Sequence, residues 1–216
     1  MYKAIVWDLD GTLLNTLTDL AASVNAALSA NGLPARTTEE VRRFVGNGIP
    51  NLIARAVPAG MDENKEAAVL ASFLSYYTEH MNDHTAPYEG ILPLLDDLRR
   101  AGIRMAVVSN KADYATAELA RLHFGDRLDA AIGAREGVPK KPAPDGVFTA
   151  LEMLCVSPAE AVYIGDSEVD VETGANAGMD VIAVSWGFRD EETLRDAGAT
   201  VICGTVAELA ELLLGK

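Results

Sequence analysis

Residues 3–12, Lys3-Ala4-Ile5-Val6-Trp7-Asp8-Leu9-Asp10-Gly11-Thr12, decide how this chain is read. A short apolar, β-rich run stops abruptly at acidic residues and glycine, the pattern of a buried strand opening into a loop. Similar short runs follow at residues 104–108, 130–132, 161–164, 181–184 and 200–203. Between them, helical patterns cover residues 91–100, 112–122, 145–154, 169–177, 191–197 and 206–214. Short buried strands alternating with helices predict an α/β fold, a Rossmann-like, doubly wound and mainly parallel sheet.

One stretch departs from that rhythm. Leu20, Val24, Ala27 and Leu28 recur at helical spacing, and Asn31-Gly32 stops their helix. Thr37-x-x-Glu40 is a capping box, Gly46-Asn47-Gly48 breaks the chain, and Pro50 suits a helix's first turn. A further helical pattern spans residues 62–77. Residues 15–85 therefore read as an all-helical cap inserted into a core made of residues 1–14 and 86–216.

Composition narrows the function. The 216 residues are 49% hydrophobic and 23% charged, a globular mixture. Apolar runs fall short of the ~18–20 residues of a membrane span, and the N-terminus meets acid too soon for a secretory signal. Cys155 and Cys203 make neither a disulfide framework nor a CxxC metal pair, which places the chain in a reducing cytoplasm. Eighteen basic against 32 acidic residues give a net charge of −14, which disfavours nucleic acid and membrane surfaces as partners. Phosphorylated metabolites are repelled too, so a site for them must supply local positive charge; screening over about 8 Å lets it act.

Ligands of such sheets bind beyond the carboxyl ends of the strands. The residues expected there are Asp8 and Asp10, then Ser109 and Asn110, then Asp166 and Asp170 beyond Gly165. Oxygen ligands of this kind suit Mg²⁺, which takes one or two carboxylates and keeps waters and substrate phosphate. Asp8, Asp166 and a backbone carbonyl near Asp10 fit that shell. Asp8 is then placed to attack phosphorus and form an aspartyl-phosphate. Neighbouring carboxylates do not ionise independently, so Asp10 is assigned the proton that goes to the leaving oxygen. A lone DxD is equally a solvated turn; its place after a buried strand, matched by Gly165-Asp166-Ser167-x-x-Asp170, separates the readings. Ser109-Asn110 could cradle phosphate or merely cap the next helix. Lys140-Lys141 offers a point charge for phosphate, and chemistry alone leaves open which lysine turns inward. His80, His84 and His123 have no metal spacing, Tyr76-Tyr77 reads as cap core or surface, and neither GxGxxG nor GxxxxGK[ST] occurs.

These residues together resemble the haloacid dehalogenase-like hydrolase superfamily, in its phosphoglycolate phosphatase branch, over essentially the whole chain. Asp8-Leu9-Asp10-Gly11-Thr12-Leu13 is similar to the first motif and Ser109-Asn110 to the second. Lys141-Pro142-x-Pro144 is similar to the third, and Gly165-Asp166-Ser167-x-x-Asp170 to the fourth. The resemblance implies Asp8 as nucleophile and Asp10 as acid/base, with Ser109, Asn110 and Lys141 on phosphate. Asp8, the Asp10 carbonyl and Asp166 would hold magnesium, supported by Thr12 and Asp170. It selects Lys141 over Lys140, makes the helical insert a mobile cap, and gives Gly46, Asn47 and Gly48 a substrate loop. Asn15 stands where relatives often carry aspartate, and Trp186-Gly187-Phe188 looks familiar without a derivable role. The implied enzyme is a Mg-dependent phosphatase of small phosphorylated metabolites, phosphoglycolate-like, acting as monomer or homodimer. Alternatives on the same scaffold are a phosphosugar phosphomutase or a pyrophosphatase. A dehalogenase would lack Asp10, and a phospho-accepting signalling domain would be about half as long, without the helical insert.

Overall fold

The computed structural model describes residues 2–215. Its core sheet has six strands: β1 (Ala4–Trp7), β4 (Arg104–Ala112), β5 (Ala130–Ala134), β6 (Ala161–Gly165), β7 (Asp180–Val184) and β8 (Ile202–Cys203). They run in the order β5-β4-β1-β6-β7-β8, and every pairing is parallel. The expected doubly wound sheet is therefore present. The first strand of the chain lies inside it, between β4 and β6.

The alternation along β1 explains why the run is apolar throughout. Ile5 and Trp7 enter one core, with Met105, Val107, Val162 and Ile164 and with helices α5 (Ile91–Arg100), α6 (Asp113–Phe124) and α10 (Val206–Leu214). Ala4 and Val6 enter the other, with Ala106, Val108, Tyr163 and helix α7 (Asp145–Leu154). Burial on both faces removes the polar half of the usual strand pattern. Helices α8 (Glu168–Asn176) and α9 (Glu191–Asp196) complete the core, where Val171, Ala183, Leu194 and Ala199 form a small satellite cluster.

Two compact units divide the chain, residues 1–14 with 87–216 and residues 15–86. The chain crosses between them in the paired two-residue strands β2 (Leu14–Asn15) and β3 (Ala86–Pro87). Asn15 thus lies in a strand rather than in the helical segment. The second unit holds α1 (Leu17–Ala30), α2 (Thr38–Phe44), α3 (Ile49–Ala56) and α4 (Glu63–His80). The capping box forms as expected, with Thr37 and Glu40 satisfying each other's backbone N–H, and Pro50 sits in the first turn of α3. Leu20, Val24, Leu28, Ile53, Phe73 and Tyr77 are buried, so Tyr77 is a core residue. Asp19 is buried as well. Burial pushes its carboxyl up, but bonds from His84 and Thr85 outweigh this and leave it below the usual carboxylate range. Gly46, Asn47 and Gly48 lie in the loop joining α2 and α3. Among the described residues no helix is long and apolar enough to cross a membrane.

The largest departure from the sequence pattern is β4. Expected to end at residue 108, it continues to Ala112 after a register shift against β5 between Val108 and Ala112. Ser109 and Asn110 are therefore inside the strand. Neither caps α6, whose N-cap is Ala112 with no side-chain bond.

Candidate active site

Asp8 follows β1 directly, and its backbone N–H donates to Ile164 on β6 at 2.8 Å. The neighbouring strand β6 delivers Asp166 and, one turn into α8, Asp170. Carboxylate oxygens of Asp8, Asp166 and Asp170 lie within 4.8 Å of one another, and all three residues are buried. Into this group the chain inserts one ammonium. Lys141 Nζ donates to Asp8 Oδ1 at 2.6 Å, to Asp170 Oδ1 at 2.7 Å and to the Tyr163 hydroxyl at 3.0 Å. Lys140 is exposed, so the inward lysine is Lys141.

Each member is held by its own neighbours. Asp170 Oδ2 accepts from the Ser167 N–H at 3.1 Å and its hydroxyl at 2.6 Å, while Oδ1 accepts from the Tyr163 hydroxyl at 3.1 Å. Asp166 accepts from the Thr12 hydroxyl at 3.0 Å and from the Phe188 N–H at 2.7 Å. The Trp186 indole N–H donates to the Thr12 carbonyl at 3.1 Å, so the Trp186-Gly187-Phe188 segment embraces Asp166 and the first loop together. Only glycine fits at two of these positions. A Cβ on Gly11, whose φ is +93°, would fall 2.3 Å from Asp166 Oδ2; one on Gly187 would fall 2.3 Å from the same atom and 2.4 Å from the Gly11 carbonyl. Asn110 spends its side chain on Lys141, accepting from its N–H at 2.9 Å and donating to its carbonyl at 3.0 Å.

The electrostatics follow from burial. Desolvation first, then the charges of Asp170 and Asp166, push the Asp8 carboxyl well above the ordinary carboxylate range, against the opposing pull of Lys141. Burial and the Asp170 charge raise Asp166 to about 7, despite its bonds from Phe188 and Thr12. Burial alone would lower the Lys141 ammonium, but Asp170 and Asp8 carry it well above the usual lysine value. With all three carboxylates ionised, one ammonium would leave two negative charges in a desolvated space, and the upward shifts of Asp8 and Asp166 are the site's resistance to that. A hard divalent cation with oxygen ligands is the species that balances such a set. The donor set therefore fits a divalent cation, with Asp166 well placed because it accepts only from two neutral donors, Thr12 and Phe188, and Asp8 because Lys141 meets its Oδ1 alone, whereas Asp170 is taken up by Lys141, Tyr163 and Ser167 together.

Asp10 stands apart from this group. Both its oxygens accept from Lys111 Nζ, at 2.7 and 2.9 Å. The side chain expected to carry a shared proton is, in this structure, an acceptor twice over, because its partner is an ammonium and not a second carboxylate. Ser109 is buried, and its hydroxyl accepts from the Lys111 N–H at 3.2 Å. Sequence reasoning missed Lys111, Tyr163 and the Trp186–Phe188 contacts. Lys111 follows Ser109-Asn110 directly, and a strand extended by four residues would have brought it to the sheet edge. The other two give no signal without the fold.

A family model described as haloacid dehalogenase-like hydrolase matches residues 5–184. A phosphoglycolate phosphatase of Thiobacillus denitrificans is 31% identical over 213 residues, covering 96% of this chain and 94% of the relative. An N-acetylmuramic acid 6-phosphate phosphatase of Pseudomonas aeruginosa is 32% identical, covering 98% and 94%. Among solved structures, a Lactobacillus delbrueckii chain, provisionally named a phosphoglycolate phosphatase, superposes with a TM-score of 0.95 at 37% identity, covering 100% and 99%. CbbY of Rhodobacter sphaeroides, in complex with phosphate, does so with a TM-score of 0.75 at 30% identity, covering 97% and 96%. Four motifs at the edge of one parallel sheet, a matching model over most of the chain and these relatives lead to one conclusion: the chain belongs to the haloacid dehalogenase-like hydrolases, in their phosphoglycolate phosphatase-like branch, and is an enzyme.

Proposed function

We propose that this enzyme is a magnesium-dependent phosphatase of small phosphate monoesters that carries the phosphoryl group on Asp8. The observation behind the proposal is the placement of Asp8 at the end of one of the two central strands, with one oxygen fixed by Lys141 at 2.6 Å and Asp166 alongside. Asp8, Asp166 and the Asp10 main-chain carbonyl are the residues to hold the metal. When bound, the cation supplies positive charge between the carboxylates and an incoming phosphate. Lys141 orients Asp8 and neutralises phosphate oxygens, with Ser109 as a further donor to phosphate. Asn110, by clamping the Lys141 main chain, acts through that lysine. Thr12 and Asp170 keep Asp166 and Lys141 in place.

In the first step a carboxylate oxygen of Asp8 bonds to phosphorus and the ester P–O bond breaks. The departing alkoxide takes its proton from the Asp10 carboxyl, which must first part from Lys111 and take up a proton from solvent. In the second step Asp10, now a carboxylate, accepts a proton from water. The resulting oxygen bonds to phosphorus, the Asp8–phosphorus bond breaks, and inorganic phosphate leaves. The relatives' names support a phosphate ester as substrate, and in both the alcohol portion is an acid, so we place the substrate among phosphoglycolate-like monoesters. The helical unit carries, in this reading, the choice of ester through its Gly46-Asn47-Gly48 loop. A reducing cytoplasm suits the free Cys155 and Cys203.

The test is a screen of phosphate monoesters with wild type and Asp8→Asn, with Mg²⁺ and after chelation. Phosphate release should require the metal and fall on the order of 10³-fold or more in the variant. Turnover retained by Asp8→Asn would remove the nucleophile from the scheme.

A further inference from the structure

Lys111 has no part in the scheme above, yet the fold goes to some length to place it. Its side chain is only 3% exposed, in a residue type almost never buried without a charged partner. The turn that carries it is fixed from several sides. Its N–H donates to Ser109 Oγ at 3.2 Å, and its carbonyl accepts from the Thr116 hydroxyl at 3.3 Å. On β5, Gly133 approaches so closely that a Cβ there would fall 2.7 Å from the Lys111 carbonyl. The Gly133 N–H donates to Asp113 at 2.9 Å, closing the same turn. The ammonium that results meets both oxygens of Asp10.

We propose that Lys111 is a specificity-determining residue that receives a carboxylate of the substrate, so that preferred esters carry an acid group on the carbon next to the ester oxygen. This rests on the phosphatase reading, in which Asp10 serves the leaving oxygen. An Asp10 oxygen doing so lies roughly 2.7 Å from it, which puts Lys111 Nζ, one hydrogen bond further on, about 5 Å away. A carboxylate on the adjacent carbon has its oxygens about 3 Å from the ester oxygen, by ordinary bond lengths. Such a group falls within hydrogen-bonding distance of Nζ. To reach the leaving oxygen, Asp10 must give up at least one of its two contacts with Lys111. A neutral ester offers nothing in exchange, and parting an ion pair whose ammonium is buried is costly. An acid-bearing ester exchanges one ion pair for another and frees Asp10 for proton transfer. Lys141 cannot take this task, being committed to Asp8 and Asp170.

The experiment measures kcat/KM of the Mg²⁺-loaded enzyme for phosphoglycolate and for its carboxamide counterpart, in wild type, Lys111→Met and Lys111→Arg. The readout is the acid-to-amide ratio within each protein, which cancels any general damage from disturbing Asp10. Wild type should favour the acid by at least about tenfold. Lys111→Met should bring the ratio near or below unity, and Lys111→Arg should restore part of it. Equal turnover of acid and amide by wild type would overturn the proposal, and that comparison stands even if a variant fails to fold. A ratio unchanged in Lys111→Met would overturn it equally. Absence of phosphate release from every ester tested would instead overturn the phosphatase reading, and this proposal with it.

Discussion

Removing the metal should make the stability of this enzyme depend on pH in an unusual direction. Asp166, raised to about 7 in the fold, is one of the two groups behind it, Asp8 being the other, and its substitution reads its own share. An unfolded aspartate releases its proton near pH 3.9, so between there and 7 the native state holds a proton that the unfolded chain has lost. Stability must then fall as pH rises through that window, the reverse of an ordinary salt-bridged carboxylate. Three units at about 1.36 kcal/mol each give roughly 4 kcal/mol. For a domain of this size that is on the order of 10 °C in melting temperature. The assay is a series of thermal melts from pH 4.5 to 7.5 in chelator, for wild type and Asp166→Asn. Wild type should lose stability across the range, and the variant, which keeps the contribution of Asp8, should lose less and melt higher at pH 7.5. Saturating Mg²⁺ should restore wild type by about 2.7 kcal/mol at a hundredfold excess over Kd. The net charge of −14 pushes both proteins alike, so the difference between them isolates the site. Parallel pH profiles for the two proteins in chelator would refute the reasoning.

Two further substitutions probe the site's construction. Lys141→Met should abolish phosphate release and cost about 3–5 kcal/mol in urea melts, because Asp8 and Asp170 lose their shared cation; Lys140→Met, on the exposed neighbour, should stay near wild type. Comparable, mild effects of the two would contradict the geometry. Gly187→Ala places a Cβ 2.3 Å from Asp166 Oδ2, so the Mg²⁺ concentration for half-maximal activity should rise by roughly 10- to 100-fold. An unchanged metal requirement would mean that the Trp186–Phe188 segment does not position Asp166.

Much of the fold was legible because each strand is short, apolar and bounded by turn residues, as in residues 3–8 and 161–166. The sheet covers both faces of such strands, so continuous hydrophobic runs and parallel pairing go together. The clustering of carboxylates was legible where motifs sit at strand ends, as with Asp8 and Asp166. Where the pattern misled, a physical cause is visible. The β4 ladder continues past its apolar stretch through the polar Ser109, Asn110 and Lys111, held by a register shift that composition does not encode. Asp10 was expected to share a proton because it lies two residues from Asp8. Its partner in the structure is instead Lys111, about a hundred positions away in the chain. Likewise nothing local marks Tyr163 as polar at its tip. It reads as one more apolar strand residue, and its hydroxyl finds Lys141 and Asp170 only once β6 and α8 are folded together.

The central position of β1, shared with β6, carries a consequence for motion. Its amides and carbonyls are laddered to strands on either side, and all four of its side chains are sealed from water. Fraying, which begins at edges such as β8, reaches it last, so its amides should exchange with deuterium only when the whole domain opens. Asp8 is thereby mounted at the end of one of the slowest-breathing segments of the molecule, and whatever moves during turnover should move around it.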